Sequence, residues 1–386
     1  FPIIDTTNTG LPSTGAKTLA KLINHSTNQK HIDLLNHLIE LNKVSKILST
    51  FIPAFENAKY VGNKEYRLFG NFNLCGTVSG RLSSSSPNLQ NLPSGSTYGK
   101  MIKKCFKSPA NTIFVGADFA SLEDRISALT TRDPNKLKVY TDGYDGHCLR
   151  AFSYWANKMP DIVETVESIN SIESKYPTIR QESKAPTFLL TYQGTFHGLM
   201  NNVGMSEVDA RSVEDSYHEL YKVSDKWVQD KLSEATNTGY VTAAFGLRVR
   251  TPLLGLTILN TKTTTNASKA EGRTAGNALG QSYGILNTRA ANEFMQRVYD
   301  SPYKLDIRIA GLIHDASYYL IKDTVGIVKW VNDNLIECMQ WQDLEEIAHP
   351  TVKLGGELDL YYPSWAEPIT LANQSSLKEI IAACSL

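Results

Sequence analysis

Two apolar segments that each lead directly to an aspartate constrain this chain most. Residues 112–119 predict a strand that ends at Asp118, with a helix over 121–129 behind it; residues 307–321 predict two strands around a tight turn at Asp315. Strand ends hold side chains rigidly, and two such carboxylates could bind two metal ions about 4 Å apart for in-line phosphoryl chemistry. Each aspartate also has a simpler interpretation. Asp118 could cap the following helix, and Asp315 could be an ordinary turn residue.

The other periodic segments predict an α+β protein with a small antiparallel sheet and a large helical part. Apolar periodicity predicts a helical hairpin over residues 18–55, a mostly helical middle over 121–240 and one or two long helices over 266–300. The remaining predicted elements are a short strand over 67–76, strand and turn segments over 239–254 and a helix over 324–338.

Composition describes an ordinary globular protein of 386 residues, of which 41% are hydrophobic. No apolar run approaches the ~20 residues of a membrane-spanning helix, so we expect no membrane partner. The net charge of zero counts mildly against a nucleic-acid partner. Five scattered cysteines without a CxxC pair disfavour a disulfide framework or a zinc site, which suits a reducing compartment. We therefore predict a cytoplasmic location, with an organelle as the alternative.

Four residues at every fourth position form a second candidate site. On a helix, Arg180, Lys184, Phe188 and Tyr192 would lie along one slowly drifting face. Two cations followed by two rings suit a nucleoside triphosphate, because cations contact phosphates and rings contact sugar and base. An amphipathic helix with solvated charges and core aromatics has the same spacing. Pro186 indicates that the helix kinks or begins nearby, since an internal proline costs about 3 kcal/mol.

Two further segments carry polar groups suited to nucleic acid. Residues 77–93 are rich in Ser, Pro, Asn and Gly, and we predict a long ordered loop over 79–96. This composition fits hydrogen bonding to a sugar-phosphate backbone, although a flexible Ser-rich loop would look alike. Arg273, Asn277 and Gln281, again every fourth residue, could present donors to base edges or simply form a solvated helix face.

In this order, the segments resemble the motifs of family A DNA polymerases. Residues 77–93 resemble the motif TxxGRLSSxxPNLQNIP almost letter for letter. Residues 118–125 resemble motif A (DYSxIELR), and residues 180–192 match the motif B pattern RxxxKxxxFxxxY. Residues 313–316 resemble motif C (VHDE). Residues 142–147 resemble the segment DGxDIH, residues 273–281 match RxxxNxxxQ, and residues 12–17 resemble the start of the thumb.

The resemblance implies a right-hand polymerase fold with an antiparallel palm sheet, helical fingers and a helical thumb. The implied segments are a thumb over residues 1–70, a palm over 71–125 and 256–386, and fingers over 126–255. It also implies a DNA-directed DNA polymerase that adds deoxynucleotides from dNTPs to the primer of a primer-template DNA. Two Mg²⁺ ions would be the cofactors, with Mn²⁺ as a possible substitute.

The resemblance further implies a role for each matching residue. Asp118 and Asp315 would be the metal ligands, and Lys184 would neutralise the triphosphate and protonate the leaving pyrophosphate. Arg180 and His147 would hold the β- and γ-phosphates. Glu123 stands at the position that excludes a ribose 2′-hydroxyl, Phe188 implies poor use of dideoxynucleotides, and Tyr192 would stack near the templating base. Arg81, Asn277 and Gln281 would touch the minor groove near the primer end. The full set of implied DNA contacts is Arg81, Asn88, Gln90, Asn91, Arg273, Asn277, Gln281 and His314.

Several letters depart from the family pattern. Motif C has Ala316 where the family usually has glutamate, motif A differs at Ala120, Ser121 and Asp124, and Gln193 precedes the glycine that usually follows the motif B tyrosine. These departures favour a divergent, bacteriophage-like branch. No segment resembles the family's 3′–5′ exonuclease, so we expect no proofreading from this chain; a separate N-terminal exonuclease domain or a processivity factor would be its partner. The alternative functions are a repair or bypass polymerase and a nucleic-acid-binding relative that has lost catalysis.

Overall fold

The structure, a computed structural model, describes residues 1–7, 9–93, 97–255 and 265–384. Its strands, in chain order, are β1 (Lys59–Gly62), β2 (Glu65–Arg67), β3 (Asn71–Asn73), β4 (Ser83–Ser85), β5 (Thr112–Phe119), β6 (Tyr240–Thr242), β7 (Arg248–Arg250), β8 (Ile307–Ile313), β9 (Ala316–Lys322), β10 (Gly356–Tyr361) and β11 (Pro368–Leu371). Its helices are α1 (Ala16–Ile23), α2 (Gln29–Lys46), α3 (Ile52–Glu56), α4 (Thr97–Lys104), α5 (Leu122–Thr131), α6 (Pro134–Thr141), α7 (Gly146–Trp155), α8 (Val166–Asn170), α9 (Ile172–Lys175), α10 (Pro177–Glu182), α11 (Lys184–Thr191), α12 (Phe196–Gly198), α13 (Glu207–Leu220), α14 (Lys222–Thr238), α15 (Asn266–Gln281), α16 (Ile285–Asp300), α17 (Val325–Met339) and α18 (Leu377–Cys384).

The chain divides into two units. The first unit comprises Phe1–Val61, Tyr66–Leu68 and Asp133–Gln229, and the second comprises Gly62–Glu65, Phe69–Arg132 and Asp230–Leu386. The predicted thumb and most of the predicted fingers fall in the first unit, and the predicted palm falls mainly in the second. The finer division into thumb, palm and fingers stays a prediction.

A five-stranded antiparallel sheet forms the centre of the second unit. Its strand order is β11-β10-β5-β9-β8, and β8 and β9 form the predicted hairpin. Alternate residues of β5, among them Val115, Ala117 and Phe119, are buried on one face. Helix α17 packs against β5, β9 and β10, and α16 packs against β8 and β9. On the opposite face, aromatic rings of Phe114, Tyr318 and Trp365 pack together along the strand, and Asp118 lies beyond them near the end of β5.

The first unit is helical. Leu19, Leu22 and Leu35 form the core of the predicted hairpin of α1 and α2, which continues through a π-helical turn into α3. A second core surrounds the rings of Trp155, Tyr217 and Tyr221. The mostly helical middle of the chain agrees with the prediction. In the described part of the chain, no helix combines the length and apolar character that crossing a membrane requires.

The predicted kink or helix start near Pro186 is confirmed, because α10 ends at Glu182 and α11 begins at Lys184. One detail of this segment needs correction. Tyr192 lies just beyond the end of α11 with a non-helical backbone. Strands β10 and β11 and helix α18 were not predicted from the sequence. Residues 94–96, at the end of the predicted loop, and 256–264, at the start of the second predicted palm segment, lie outside the described residues.

Candidate active site

The two aspartates lie at the same end of adjacent strands. Asp118 is the penultimate residue of β5 and pairs in register with Ala316 of β9. Asp315 lies in the turn between β8 and β9, and its carbonyl accepts a hydrogen bond of 3.3 Å from the backbone N–H of Phe119. His314, before it in the turn, has a φ of +54°, a left-handed conformation suited to a tight turn. The sheet register thus brings together two carboxylates that are distant in sequence.

Both carboxylates are destabilised in their charged form. Burial and then the negative charge of Asp315 raise the pKa of Asp118, and the charge of Asp359 adds to this effect. Burial also raises the pKa of Asp315, which the positive charge of Arg81 partly opposes and the charge of Glu123 reinforces. A bound cation would relieve this repulsion.

The donor set suits a magnesium ion that shares its ligands with a substrate. Mg²⁺ is commonly bound by one or two carboxylates together with water and substrate phosphates, rather than by an all-protein cage. Among the residues that the structure describes, His, Cys, Asp and Glu nowhere form a group of three or more that could hold a metal ion. Asp118 and Asp315 therefore fit a magnesium ion that is bound by two carboxylates together with substrate phosphates, and they do not form an all-protein cage.

A row of three residues crosses the sheet at Asp118. Ala316 lies on one side of Asp118 and Glu357 of β10 lies on the other. Two residues further along β10, Asp359 accepts hydrogen bonds from Thr370 Oγ1 at 2.6 Å and from Tyr361 OH at 3.4 Å. Two acidic residues of β10 near Asp118, Glu357 and Asp359, were not among the site residues predicted from the sequence. The alternation of acidic and apolar residues over 357–360 could have indicated them.

Arg81 contacts two carboxylates of the second unit, those of Glu123 and Asp315. Its Nη2 lies 2.8 Å from Glu123 Oε1 and 3.3 Å from Asp315 Oδ1. Its Nε donates to the carbonyl of Gln281 at 2.9 Å. Arg81 is one of the residues for which a minor-groove contact was predicted; here it binds two protein carboxylates, and its DNA contact stays a prediction. Glu123 lies in the first turn of α5, directly after β5.

The predicted DNA-binding loop is ordered by its own side chains. Asn88 Oδ1 accepts from the backbone N–H of Gln90 at 3.0 Å, and Gln90 Nε2 donates to the carbonyl of Leu312 at 3.0 Å. Asn91 is exposed. The Asn88 contact stabilises the loop internally, and the Gln90 contact holds the loop against strand β8. The predicted DNA contacts of these residues stay predictions.

The remaining predicted DNA contacts lie on α15 and in the β8–β9 turn. Arg273 is exposed on α15, and Asn277 and Gln281 are half-buried on the same helix. His314 is exposed in the turn, and its carbonyl accepts a hydrogen bond of 3.2 Å from Asn287 Nδ2. The helical spacing of the α15 residues agrees with the prediction, and their role stays a prediction.

In the first unit, Arg180 is held by an acidic residue. Its Nη2 lies 2.6 Å from Asp145 Oδ2 and 3.5 Å from Glu173 Oε1. The other oxygen of Asp145 accepts from the backbone N–H of Cys148 at 2.8 Å and caps α7. Although burial raises it, hydrogen bonds from Arg180 and Cys148 bring the pKa of Asp145 down to about 2. The carboxylate is therefore charged at neutral pH.

His147 lies in the first turn of α7, close to these charges. Burial and then the positive charge of Arg150 lower the pKa of His147, so its ring is neutral at pH 7. Ser183 Oγ donates to the His147 carbonyl at 3.2 Å, which ties α7 to the junction of α10 and α11. Lys184 begins α11 and is half-buried.

The aromatic residues of the predicted nucleotide site are not core residues. The Phe188 side chain is 58% exposed and that of Tyr192 is 39% exposed. These exposures contradict the alternative of an amphipathic helix that buries its aromatics.

Comparisons with known proteins agree with this architecture. The sequence pattern of DNA polymerase family A matches residues 1–354. The chain is 28% identical over 255 residues to DNA polymerase I of Bacillus subtilis (strain 168), covering 66% of this chain and 26% of that protein. It is 27% identical over 249 residues to the thermostable DNA polymerase I of Thermus aquaticus, covering 63% of this chain and 28% of that protein.

A solved structure shares the fold. It is described as the POL domain of Pol1 from M. smegmatis in complex with DNA primer-template and dNTP. The TM-score is 0.75 at 22% identity, and the match covers 95% of this chain and 58% of that chain. The predicted α+β polymerase fold is thereby confirmed. The chain spans about a quarter of the length of the two curated relatives, which are bacterial, so the bacteriophage branch stays a prediction.

Proposed function

The chain belongs to DNA polymerase family A, and we propose that it extends a DNA primer by template-directed addition of deoxynucleotides. The observation that carries this proposal is the proximity of Asp118, at the end of β5, and Asp315, in the turn that leads into β9, where each carboxylate is destabilised as an anion. Such a pair suits in-line phosphoryl transfer, in which cations meet the charge that develops on the transferring group.

Asp118 and Asp315 would hold two Mg²⁺ ions, or Mn²⁺ as a substitute, which when bound neutralise the attacking and leaving oxygens. The protein's own contribution is to hold both carboxylates at one end of the sheet, Asp118 on β5 and Asp315 in the tight turn between β8 and β9. Ala316 contributes no carboxylate here, and Glu357 on the opposite side of Asp118 provides the nearest acidic position in the same row.

The triphosphate would be bound by Arg180, His147 and Lys184. Arg180 already binds a carboxylate with its guanidinium, and a phosphate oxygen can replace that carboxylate with the same hydrogen-bond geometry. Neutral His147 can donate one ring N–H to a phosphate oxygen. Lys184 would neutralise the triphosphate and deliver a proton to the leaving pyrophosphate.

The sugar, base and duplex would be recognised by the remaining residues. Exposed Phe188 and Tyr192 offer rings for the nucleotide and the templating base. Glu123 would exclude a ribose 2′-hydroxyl. Arg81, Asn277 and Gln281 would donate to minor-groove acceptors, which are similar in every base pair and so do not depend on sequence. Asn88, Gln90, Asn91, Arg273 and His314 would contact the DNA nearby.

Primer extension with Mg²⁺ tests this function. The wild-type chain should extend a primed template, whereas Asp118→Ala and Asp315→Ala should abolish extension and retain DNA binding in a fluorescence anisotropy assay. Asp343→Ala is a suitable control, because Asp343 is an exposed aspartate elsewhere in the second unit. A wild-type chain that binds DNA without extending the primer would favour a nucleic-acid-binding relative. Full activity in either carboxylate variant would contradict the metal assignment.

A further inference from the structure

Arg81 occupies a position that its predicted DNA contact does not explain. One nitrogen, Nη2, contacts both Glu123 Oε1 at 2.8 Å and Asp315 Oδ1 at 3.3 Å. A second nitrogen, Nε, is anchored on the Gln281 carbonyl at 2.9 Å. The side chains of Arg81, Glu123 and Asp315 are only 27%, 37% and 23% exposed. Charge-assisted hydrogen bonds of this kind are shorter and stronger than neutral ones.

The close approach of Arg81 depends on a glycine. A Cβ at Gly284 would lie 2.4 Å from Arg81 Nε and 3.1 Å from its Cγ and Cζ. Gly284 itself has a helical backbone, with φ −57° and ψ −18°, which alanine adopts without strain. The missing side chain at position 284 thus makes room for the guanidinium, and any larger residue there would push it away from its anchor.

The contact with Arg81 restricts the orientation of Glu123. The flexible side chain of a glutamate has several rotamers, and an ion pair with an anchored guanidinium favours the rotamer that keeps the contact. A carboxylate can exclude a 2′-hydroxyl only if it stays at one place, because a small displacement makes room for one extra oxygen.

We propose that Arg81 is a positioning residue for sugar selection: it holds Glu123 in the orientation that excludes a 2′-hydroxyl, and it does so from an anchor formed by Gln281 and Gly284. This inference rests on the proposed polymerase function and on the role proposed for Glu123. It predicts that nucleotide selectivity depends on a residue that need not touch the sugar.

The test is the ratio of kcat/KM for a dNTP to that for the matching rNTP. A primer contact of Arg81 is common to both nucleotides and cancels in this ratio. Arg81→Lys keeps the charge but loses the Nε donor and the planar fork, so the ratio should fall about tenfold, or about 1.4 kcal/mol. Gly284→Ala leaves every charged group in place and should lower the ratio in the same direction.

Gly280→Ala is the matched control, since a Cβ at Gly280 meets nothing within 4 Å in the described structure. It should leave the ratio unchanged. A double-mutant cycle separates positioning from a general structural effect, because Arg81→Lys should change the ratio little further once Glu123 is alanine.

The outcomes distinguish this inference from the proposed function. If the wild-type chain does not extend a primer, the polymerase proposal fails and this inference fails with it. If the wild type extends the primer and Arg81→Lys leaves the sugar ratio unchanged, only the inference is overturned. An equal effect of Arg81→Lys in the Glu123→Ala background would also overturn it. Arg81→Lys decides the question even if Gly284→Ala does not fold.

Discussion

Gly116, at the centre of β5, is the position where one added methyl group should be most informative. A Cβ there would lie 2.7 Å from Cδ1 and Cε1 of Tyr318 and 3.2 Å from Cε2 of Tyr361. Carbon atoms pack best at about 3.5–4.0 Å, so the Tyr318 ring would have to retreat by roughly 0.8 Å. That retreat is opposed by Phe114, stacked on Tyr318 at 5.6 Å, and by Trp365, whose ring centre lies 5.1 Å away.

The expected cost of Gly116→Ala follows from these distances. Overpacking a well-filled site typically costs about 1–3 kcal/mol, and the lower entropy of alanine in the unfolded chain returns part of it. We expect a net loss of about 1–2 kcal/mol, which corresponds to roughly a 5- to 30-fold change in an opening equilibrium. Hydrogen exchange of β5 peptides by mass spectrometry measures this opening directly.

The same sheet offers a matched control. A Cβ at Gly311, in β8, would make only an ordinary contact of 3.6 Å with Phe72 Cζ. Gly311→Ala should therefore leave the exchange of β5 almost unchanged. Wild-type protection of β5 in Gly116→Ala would refute the reasoning, and so would an equal loss of protection in both variants.

The remaining predictions concern the candidate site. Because the pKa values of Asp118 and Asp315 are raised in the absence of metal, protons compete with Mg²⁺ for both carboxylates as the pH falls; the Mg²⁺ concentration needed for half-maximal extension should therefore rise with decreasing pH, and a requirement that does not change with pH would contradict this. An aspartate whose pKa is raised in the folded state destabilises the fold at pH values above that pKa, so Asp118→Asn should raise the urea midpoint of unfolding at neutral pH. The variant should lose this advantage as the pH falls below the raised pKa. A lower midpoint at neutral pH would argue against repulsion between Asp118 and its acidic neighbours. Glu123→Ala should increase ribonucleotide incorporation in single-nucleotide extension, and unchanged sugar selectivity would contradict the proposal that Glu123 excludes a 2′-hydroxyl. Phe188→Tyr should increase dideoxynucleotide incorporation if the resemblance to motif B holds, and an unchanged chain-termination pattern would count against that alignment.

Local sequence signals predicted the elements that carry the aspartates. Strand β5 could be predicted because apolar residues run to Asp118 and a helix follows, and the β8–β9 hairpin because alternation surrounds His314 and Asp315. Pro186 indicated the break between α10 and α11, because its nitrogen has no hydrogen to donate to the carbonyl of Glu182 four residues earlier. A tertiary contact that the sequence does not reveal, between Ser183 and the His147 carbonyl, also holds this junction.

Long-range contacts account for what the sequence did not predict. The approach of Arg81 to Glu123 and Asp315 joins a loop, a helix and a turn that only the folded sheet brings together. Which side of Asp118 carries an acidic neighbour depends on the order of the strands, and strand β10 was not predicted. The replacement at Ala316 was visible in the sequence, whereas the position of Glu357 opposite Asp118 was not.

The ion pair between Arg180 and Asp145 has a consequence for how anion binding would respond to salt. Binding of lysine and arginine side chains to DNA phosphates releases the counterions condensed on the DNA, so the affinity for DNA falls steeply with ionic strength. Arg180 instead carries a built-in counterion, and the displaced Asp145 keeps its hydrogen bond from the backbone of Cys148. Nucleotide binding at Arg180 would then be an internal exchange of one anion for another. Its affinity should vary less with salt than the affinity of the same chain for DNA.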